Sequence, residues 1–576
     1  MRRRHALAAV LVCAAGWSAD VPARRGGLKG DEPAVRQAVE QAMAEGHWHV
    51  AVRLLDEALA GSAVVDREEL LATARRCRLQ ARIEERYQDG SIGRLIVSLE
   101  AEQARALRVE VCRRIEQAYY PALDEGAWLA RVRETLAAAA ECRWLGESLG
   151  LGGAGGAWRS GLQEAIAGLP EHPSRGGDRR AGEGDRPPGA MEETARELAA
   201  WEGVLSAAAA GGERGAGVPA GWAAVVLAYA LADSLDEHSY LLSPRQYEQF
   251  RARLGGSYVG VGVDLTFGGP WPRVFDVLGE SPAQRAGVAP GDWLLAAGAV
   301  SLHEQSEALV GTLLAGPRHS RLQVTIRRGE RERTLEMERD LVLAPSVRQV
   351  RVLGGGASAG YLRIASFDRD TAVELVRAVR ALRQQGVRAL VIDLRCNGGG
   401  VLAAGVESAG LFVPDEAIVT VVGRTGRTTH VAGDLLDRFT LPVALLVDRH
   451  TASAAEIFAA ALQEHGRAIV IGEPTRGKGT VQTVYPLETG ATGLCVTTAS
   501  YLPPSGRSFE GRGIEPDVRL RDTGPAAPAG AVPGTKSGPA SLAAADLPGF
   551  SLDECLNGRD AGVALALEAV QARQQQ

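Results

Sequence analysis

Apolar residues recur at intervals of three and four over residues 31–149, and Arg and Glu fill many of the positions between them. This spacing places the apolar side chains on one face of a helix, so we predict a region of amphipathic helices. No repeat period is clear, and a plain helical bundle is favoured over a partner-binding array. The same spacing returns in residues 191–250, which we predict as a helical lead-in to the next segment.

Other stretches lack this pattern. Residues 1–23 begin with three arginines, followed by a short apolar run and small residues, an order typical of a secretory signal peptide. Residues 150–190 and 522–548 are rich in Gly, Pro, Ala or charge, and both are predicted to be linkers. Residues 549–576 are predicted to end the chain as a helix.

Residues 251–342 contain short strand-like runs separated by glycines. The run Tyr258-Val-Gly-Val-Gly-Val263 opens the segment, and SPAQRAGVAPGDWLL follows at Ser281–Leu295. Glycine lets backbone N–H groups come close to a carboxylate. In this combination the segment resembles a PDZ domain, which takes an extended peptide as an added strand and holds its terminal carboxylate in a backbone nest. The predicted peptide-binding residues are Val259, Gly260, Val261, Gly262 and Val263.

Residues 343–521 alternate buried-strand runs with helical spacing. A strand, a helix and the apolar run Ala389–Leu394 predict a βαβ unit that ends in the glycine turn Arg395-Cys-Asn-Gly-Gly-Gly400. Further on, we predict a strand at Pro442–Val447, a helix at Ala454–His465 and a strand at Ala468–Gly472, followed by a glycine-rich loop and another strand. The predicted fold class is therefore multidomain α+β.

Composition narrows the possible functions. The net charge of −6 over 576 residues gives no basic surface for nucleic acid. Seven cysteines are present, and six remain if Cys13 leaves with the signal peptide, an even number that export permits to pair. Their spacing matches no zinc pattern, and we predict neither a metal nor another cofactor.

The candidate chemistry lies between Leu441 and Tyr485. Ser453 precedes a helix, and Lys478 follows on a loop with apolar surroundings in sequence. A serine hydroxyl needs a base, and a lysine can be that base when burial removes its proton. Gln482, four residues after Lys478, could accept a hydrogen bond from the amine, and the N–H of Ala454 begins a helix terminus suited to an oxyanion.

Several structural interpretations compete with this chemistry. Ser453 and Glu456 also form a capping-box pattern, in which the serine only caps the helix. Residues 472–478 match most of a phosphate-binding P-loop, but a strand-like run follows where a helix is needed. His450 and His465 are alternative bases for Ser453. Asp236 with His238 suggests a dyad, for which a capped turn is the favoured interpretation.

The run TASAAEIFAAALQEHGRAIVIGEPTRGKGTVQ resembles the active-site segment of the serine-lysine C-terminal processing peptidases, also called tail-specific proteases. The resemblance extends from Ser234 through the PDZ-like segment to the run that ends at Val518. It implies a crotonase-like catalytic core, with Ser453 as nucleophile, Lys478 as general base and Gln482 as the residue that orients it. It also implies that Gly399 and Ala454 form the oxyanion hole, although Cys396 and Gly398 depart from the family's turn.

The resulting prediction is an exported serine endopeptidase that binds protein C-termini through its PDZ domain and cleaves with a Ser-Lys dyad. Its partners would be protein substrates with free, apolar C-termini, in the periplasm or outside the cell, with membrane association only through an uncleaved signal. A non-catalytic PDZ adaptor that keeps the peptidase fold is the alternative. Cys396 is interpreted as a packed thiol in preference to an oxidation-sensitive one.

Overall fold

A computed structural model provides the structure of this chain. The residues that it describes are 32–60, 67–88, 90–121, 123–149, 155–170, 190–210, 218–253, 257–267, 270–305, 307–353, 359–431, 437–520 and 561–574. The predicted signal peptide, the predicted linker 522–548, most of the predicted linker 150–190 and the start of the predicted C-terminal helix lie outside these ranges.

The described residues fall into two compact units. The first contains the residues up to Arg251 together with Val481–Ala499, and the second contains the remaining ones. The helices before Arg253 are α1 (Glu32–Ala44), α2 (Trp48–Ala60), α3 (Arg67–Gln88), α4 (Ser91–Ser98), α5 (Ala101–Ala118), α6 (Glu125–Glu141), α7 (Arg143–Ser148), α8 (Gly155–Ala167), α9 (Ala190–Ala210), α10 (Trp222–Asp233) and α11 (Pro244–Arg253).

Helix α10 lies at the centre of the first unit. All twelve of its residues are buried, because the sequence WAAVVLAYALAD is apolar on every face. Its core also takes in Leu487, Leu494 and Val496, which come from the distant segment of the chain. There the strand β1 (Tyr240–Leu241) pairs antiparallel with Leu494 and Cys495. The predicted helices of this region are thus present, and a short antiparallel strand pair completes the core of the first unit.

Helix α8 corrects the predicted linker 150–190, because residues 155–167 are helical. Leu162 and Ile166 are buried on one face of this helix, and the ring of Trp158 packs edge-on against Trp222 with centroids 6.1 Å apart. Apolar residues at intervals of four therefore decide the structure here, although glycines on either side obscure the pattern.

The second unit begins with two small sheets. Their elements are β2 (Ser257–Gly260), β3 (Val263–Thr266), β4 (Arg273–Val277), α12 (Pro282–Ala286), β5 (Trp293–Ala297), β6 (Val300–Ser301), α13 (Glu307–Leu314), β7 (Arg321–Arg328), β8 (Arg331–Glu338) and β9 (Asp340–Leu343). One sheet has the order β3-β4-β5-β7-β8, with β6 beside β5, and β2 pairs with β9 in the other. Strand β3 is therefore an edge strand.

The rest of the second unit is built on a mostly parallel sheet. Its elements are β10 (Val347–Val352), β11 (Ala359–Ile364), α14 (Thr371–Gln384), β12 (Ala389–Asp393), α15 (Leu402–Gly410), β13 (Ala417–Gly423), β14 (Gly426–Val431), β15 (Val443–Val447), α16 (Ala454–Glu464), β16 (Ala468–Gly472), β19 (Val518–Arg519) and α17 (Ala561–Gln574). Strands β17 (Thr480–Pro486) and β18 (Gly493–Leu502) pair with each other and continue into the first unit.

The large sheet has the order β10-β11-β12-β15-β16-β19. Only the β10–β11 pair is antiparallel, so β11, α14 and β12 form the predicted βαβ unit. The residues of β12 and β15 are all buried, as expected for strands covered on both faces. Helix α17 covers one of these faces with Ala566 and Val570. The carboxyl ends of β12 and β15 lie side by side, and the candidate site begins there.

Candidate active site

Ser453 lies at the N-terminus of α16, after the turn that leaves β15. Its φ of 64° and ψ of −121° are rare for a residue other than glycine, and its side chain is fully buried. The preceding turn is held by Asp448, whose carboxylate accepts the N–H groups of His450 at 3.0 Å and Thr451 at 2.9 Å. Such a strained conformation persists only where the surroundings determine it, and strained residues cluster at functional sites.

Glu456 is fully buried one turn into α16 and accepts four hydrogen bonds. Its Oε2 accepts the N–H groups of Ser453 at 2.7 Å and Lys478 at 3.0 Å, whereas its Oε1 accepts the N–H of Gly477 at 2.7 Å and the hydroxyl of Thr475 at 2.5 Å. Burial raises the pKa of Glu456, and the four hydrogen bonds act in the opposite direction. One carboxylate thus binds the backbones of both candidate catalytic residues.

The loop that carries Lys478 is held by the segment 509–514. The Gly511 N–H donates to the carbonyl of Gly477 at 2.7 Å, and the Thr475 N–H donates to the carbonyl of Ile514 at 3.2 Å. Gly513 has no room for a Cβ atom, which would collide with the carbonyl of Thr475. Backbone contacts this close leave the loop little freedom, and Lys478 itself is buried.

The glycine turn after β12 lies directly against Ser453. A Cβ atom on Gly399 would come within 2.8 Å of the Ser453 Cβ and 2.9 Å of the Ala454 nitrogen. The N–H of Gly399, however, donates to Asn397 Oδ1 at 2.9 Å, and the Asn397 carbonyl accepts the N–H of Ala452 at 3.0 Å. The turn is therefore beside the candidate nucleophile, but the Gly399 N–H would have to leave Asn397 to bind an oxyanion, and its role in an oxyanion hole stays a prediction.

Gln482 is fully buried on β17, in the first unit, whereas Ser453 and Lys478 belong to the second. Its side-chain amide donates to the Thr497 hydroxyl at 3.2 Å, and the Thr497 N–H in turn donates to the Ser239 hydroxyl at 3.0 Å. These contacts hold Gln482 in place within its own unit. Its role towards Lys478 stays a prediction.

The structure decides two of the competing interpretations. A strand, β17, follows Lys478, and the N–H groups of Gly477 and Lys478 donate to a carboxylate of the protein itself, which disfavours a P-loop. His238 donates its backbone N–H to Asp236 Oδ1 at 2.8 Å, as in a capped turn.

The two alternative bases, His450 and His465, make contacts of their own. His465 follows the last residue of α16, and that helix separates it from Ser453 by about 18 Å. His465 Nε2 also lies 2.9 Å from the carbonyl of Ala417. The Nε2 of His450 accepts a hydrogen bond from the Arg449 side chain at 3.2 Å. The position of His465 at the far end of α16 argues against it as the base of Ser453.

The five residues predicted to bind a peptide are split between two strands and a turn. Val259 and Gly260 pair with β9, Val263 begins β3, and the turn between contains Val261 and Gly262. The carbonyl of Val261 accepts the N–H of Ala283 at 2.8 Å. Gly262, with a φ of 85°, has the Ser281 side chain where a Cβ atom would lie. The turn is thus tightly packed at the start of an edge strand.

The described cysteines, Cys77, Cys112, Cys142, Cys396 and Cys495, are free thiols. Within the ranges given above, no group of three or more His, Cys, Asp or Glu side chains is arranged to hold a metal ion. In the same part of the chain, no helix combines the length and the apolar character needed to cross a membrane.

Known proteins that resemble this chain identify its family. The model of Peptidase family S41 matches residues 358–520. The carboxyl-terminal-processing protease of Picosynechococcus is 33% identical over 290 residues, which cover 49% of this chain and 69% of that protein. The protease of the same name from Synechocystis is 34% identical over 291 residues, which cover 49% and 68%. This chain belongs to the carboxyl-terminal-processing protease family.

As a member of the carboxyl-terminal-processing proteases, the protein is a serine-type peptidase. Among solved structures, the photosystem II D1 C-terminal processing protease is 26% identical, with a TM-score of 0.41, and the alignment covers 72% of this chain and 92% of that one.

Sequence reasoning on this carboxyl-terminal-processing protease missed the second role of Glu456 and the contribution of Thr475. The sequence predicts Glu456 only as a helix cap, yet it also binds residues 19 to 22 positions later. One signal was available, because a glutamate within the apolar run AAEIFAAA needs a partner if it is buried.

Proposed function

We propose that Ser453 and Lys478 form the catalytic dyad of this peptidase. The observation that supports this most directly is the buried Glu456 carboxylate, which binds the backbone N–H groups of both residues at 2.7 and 3.0 Å. A lysine in a buried loop loses its proton more easily than one in water, so it can take the proton of the serine hydroxyl.

The reaction then follows the usual course of nucleophilic catalysis. The Ser453 oxygen attacks a substrate peptide carbonyl while Lys478 takes its proton, and the protonated amine returns that proton to the leaving nitrogen. The N–H of Ala454, at the positive end of α16, and that of Gly399, after it leaves Asn397, stabilise the oxyanion. Gln482 orients the lysine amine, and water releases the acyl-enzyme. The parallel sheet around β12 and β15 is the crotonase-like core of this proposal.

Residues 251–342 are proposed to recognise the free C-terminus of a protein substrate, as a PDZ domain does. Strand β3 is supporting evidence, since an edge strand can accept an extended peptide as a further strand. The turn at Val261 and Gly262, which opens this strand, would receive the terminal carboxylate. Its apolar surroundings, which include Val263 and Leu265, favour apolar final residues.

The test is cleavage of an unstructured reporter polypeptide with an apolar tail. Wild type should cut it, whereas Ser453→Ala and Lys478→Ala should lose turnover by at least about 10³-fold, because a serine hydroxyl without its base is a weak nucleophile. An active Lys478→Ala enzyme would contradict the dyad. A wild type that binds the reporter without cutting it would point to the adaptor.

Recognition of the tail is tested separately with an amidated reporter. Amidation removes the terminal charge, so KM should rise while kcat changes little. Gly262→Val should have the same effect with the free tail, because its side chain would meet Ser281. Gly279→Ala, where a Cβ atom meets nothing within 4 Å, is the matched control. Equal KM values for both tails would contradict C-terminal recognition.

We also propose that the protein acts outside the cytoplasm, on the strength of the arginine-rich and then apolar pattern of residues 1–23. Cell fractionation with N-terminal sequencing of the mature protein tests this. Retention of an uncut chain in the cytoplasm would contradict it.

A further inference from the structure

Tyr501 lies beside the candidate dyad, at the end of strand β18, and is fully buried. Its hydroxyl donates a hydrogen bond to the carbonyl oxygen of Lys478. Its backbone N–H donates to the carbonyl of the next residue, Gly479, at 3.0 Å. Side chain and backbone of one residue thus hold two consecutive peptide groups at the lysine.

The ring of Tyr501 is itself held from the other side. It packs against Phe509, with ring centroids 5.5 Å apart and planes inclined by 50°. The neighbouring residue Glu510 accepts the N–H of Gly479 through its carboxylate. The segment that holds the lysine loop therefore also fixes the direction of the tyrosine hydroxyl.

The Tyr501 phenol is subject to the charge of Glu456, the carboxylate that binds the Ser453 N–H. Burial raises the pKa of Tyr501 well above its usual value, and the Glu456 charge raises it further. Glu456 on α16 and Glu510 on the 509–514 segment are the charged groups that act on it. The phenol stays neutral at working pH, so it is a hydrogen-bond donor and acceptor and takes no part as a base.

We propose that Tyr501 is a positioning residue that fixes the backbone of the Lys478 loop at the candidate site. This inference rests on the proposed dyad. The phenol O–H donates to the Lys478 carbonyl and the Tyr501 N–H donates to the Gly479 carbonyl, so one residue fixes the backbone at the base. No proton leaves Tyr501 in this arrangement, and the proton of Ser453 still passes to Lys478.

Tyr501→Phe tests the proposal, because it removes one oxygen atom and keeps the ring. We expect kcat on the reporter polypeptide to fall about 10- to 100-fold, since a displacement of about 1 Å in an active site costs this much. KM should stay within about twofold. The acid limb of the kcat–pH profile should move to higher pH, because a loosened loop admits water and water favours the charged lysine.

Tyr229→Phe is the matched control. Tyr229 is also buried, and its hydroxyl also donates to a backbone carbonyl, that of Leu242, at 3.2 Å, but within the first unit. It should match Tyr501→Phe in its effect on thermal unfolding and leave the pH profile unchanged. Phe509→Leu, which keeps the hydroxyl but loosens the ring, should give a smaller shift of the pH profile in the same direction as Tyr501→Phe.

The outcomes separate this inference from the dyad on which it rests. Suppose that Tyr501→Phe keeps the kcat and the pH profile of the wild type, while Ser453→Ala and Lys478→Ala are inactive. This result would overturn the positioning role and leave the dyad intact. A loss of activity that only follows the unfolded fraction, with an unchanged pH profile, would also overturn it. Turnover by Lys478→Ala, or none by wild type, would remove the proposed dyad and this inference together.

Discussion

The guanidinium carbon of Arg363 lies 4.4 Å from the centre of the Phe275 ring, and one guanidinium nitrogen lies 3.3 Å from Asp264 Oδ2. Arg363 belongs to β11 of the large sheet, whereas Phe275 and Asp264 belong to the sheet of order β3-β4-β5-β7-β8. Only 2% of Arg363 is exposed. A buried cation therefore joins these two sheets through a cation–π contact and an ion pair.

This contact should be measurable as a coupling energy. We expect Arg363→Met and Asp264→Asn, made singly and together, to show an interaction of about 1–2 kcal/mol in chemical unfolding, because they share a buried pair. Asp264 also pairs with Arg348 at 2.5 Å, which keeps the value modest. The control is a double-mutant cycle of Asp264 with the exposed Arg285, in which the changes in unfolding free energy should be additive. Additivity in the first cycle would contradict an energetic link between the sheets.

Glu456→Gln should inactivate the enzyme and destabilise it. An amide offers one acceptor oxygen and one donor group, so two of the four donors around Glu456 would face an NH₂ group. We expect a loss of about 2–4 kcal/mol in the free energy of unfolding and at least about 10²-fold in kcat. Glu464→Gln, at the exposed end of the same helix, should leave kcat unchanged. Normal activity of Glu456→Gln would show that this carboxylate does not organise the site.

The same carboxyl group should make stability depend on pH. Its pKa in the folded protein lies above the usual 4.5, because burial disfavours the charged form. A group with a raised pKa binds its proton more tightly when folded, so its contribution is greatest below pH 4.5 and declines as pH rises through the folded pKa. The difference in unfolding free energy between wild type and Glu456→Gln should therefore shrink from pH 4 to pH 8. A difference that grows over this range would contradict the raised pKa.

Gly399→Ala should disable the site without a change in any polar side chain. Its φ is 99°, and the new Cβ would lie 2.7 Å from the Ala452 carbonyl and 2.8 Å from the Ser453 Cβ. We expect kcat to fall about 10²-fold as Ser453 is displaced. Gly386→Ala is the control, because its φ of 83° imposes the same backbone strain but its Cβ meets nothing within 4 Å. Equal effects of the two substitutions on kcat would show that contact with Ser453 does not matter.

Cysteine reactivity should separate Cys396 from the other described thiols. Burial raises the pKa values of Cys77 and Cys112 to about 11, so almost none of their thiolate is present at pH 8. Cys396 is half-buried, with its Sγ 3.4 Å from Asp448 Oδ2. Among the described cysteines, iodoacetamide should therefore label Cys396 first in the folded protein, as mapped by mass spectrometry. Labelling in denaturant is the control, and rapid reaction of Cys77 in the folded state would contradict its burial.

Local patterns predicted the strands and the helix around Ser453 to within one residue. The predicted strand at Ala468–Gly472 has those bounds, and the predicted helix from Ala454 ends one residue earlier, at Glu464. These elements are short apolar runs bounded by Gly or polar residues, so periodicity alone locates them. Helix α8 was missed because the glycines beside it favour a linker, and only its packing against Trp222 reveals the helix.

The contacts that build the site could not be predicted in the same way. Glu456 lies 22 residues before Lys478 in sequence, and Tyr501 lies 23 residues after it. Both form hydrogen bonds with the backbone of Lys478, and backbone groups are present whatever the residue type. No residue type at position 478 or 479 indicates these partners. The local sequence and the family resemblance together predict Ser453 and Lys478, whereas the groups that hold them required the structure.

The first unit is not continuous in sequence, since Val481–Ala499 completes it after more than two hundred residues of the second unit. Thr497, for example, is bonded to Ser239 across 258 residues. During synthesis on the ribosome, the helices up to Arg253 therefore emerge before the residues that complete their core. Leu487, Leu494 and Val496 join that core only after most of the chain has been made. A fragment cut after Arg253 would expose that apolar surface, so neither unit can be isolated by a single truncation.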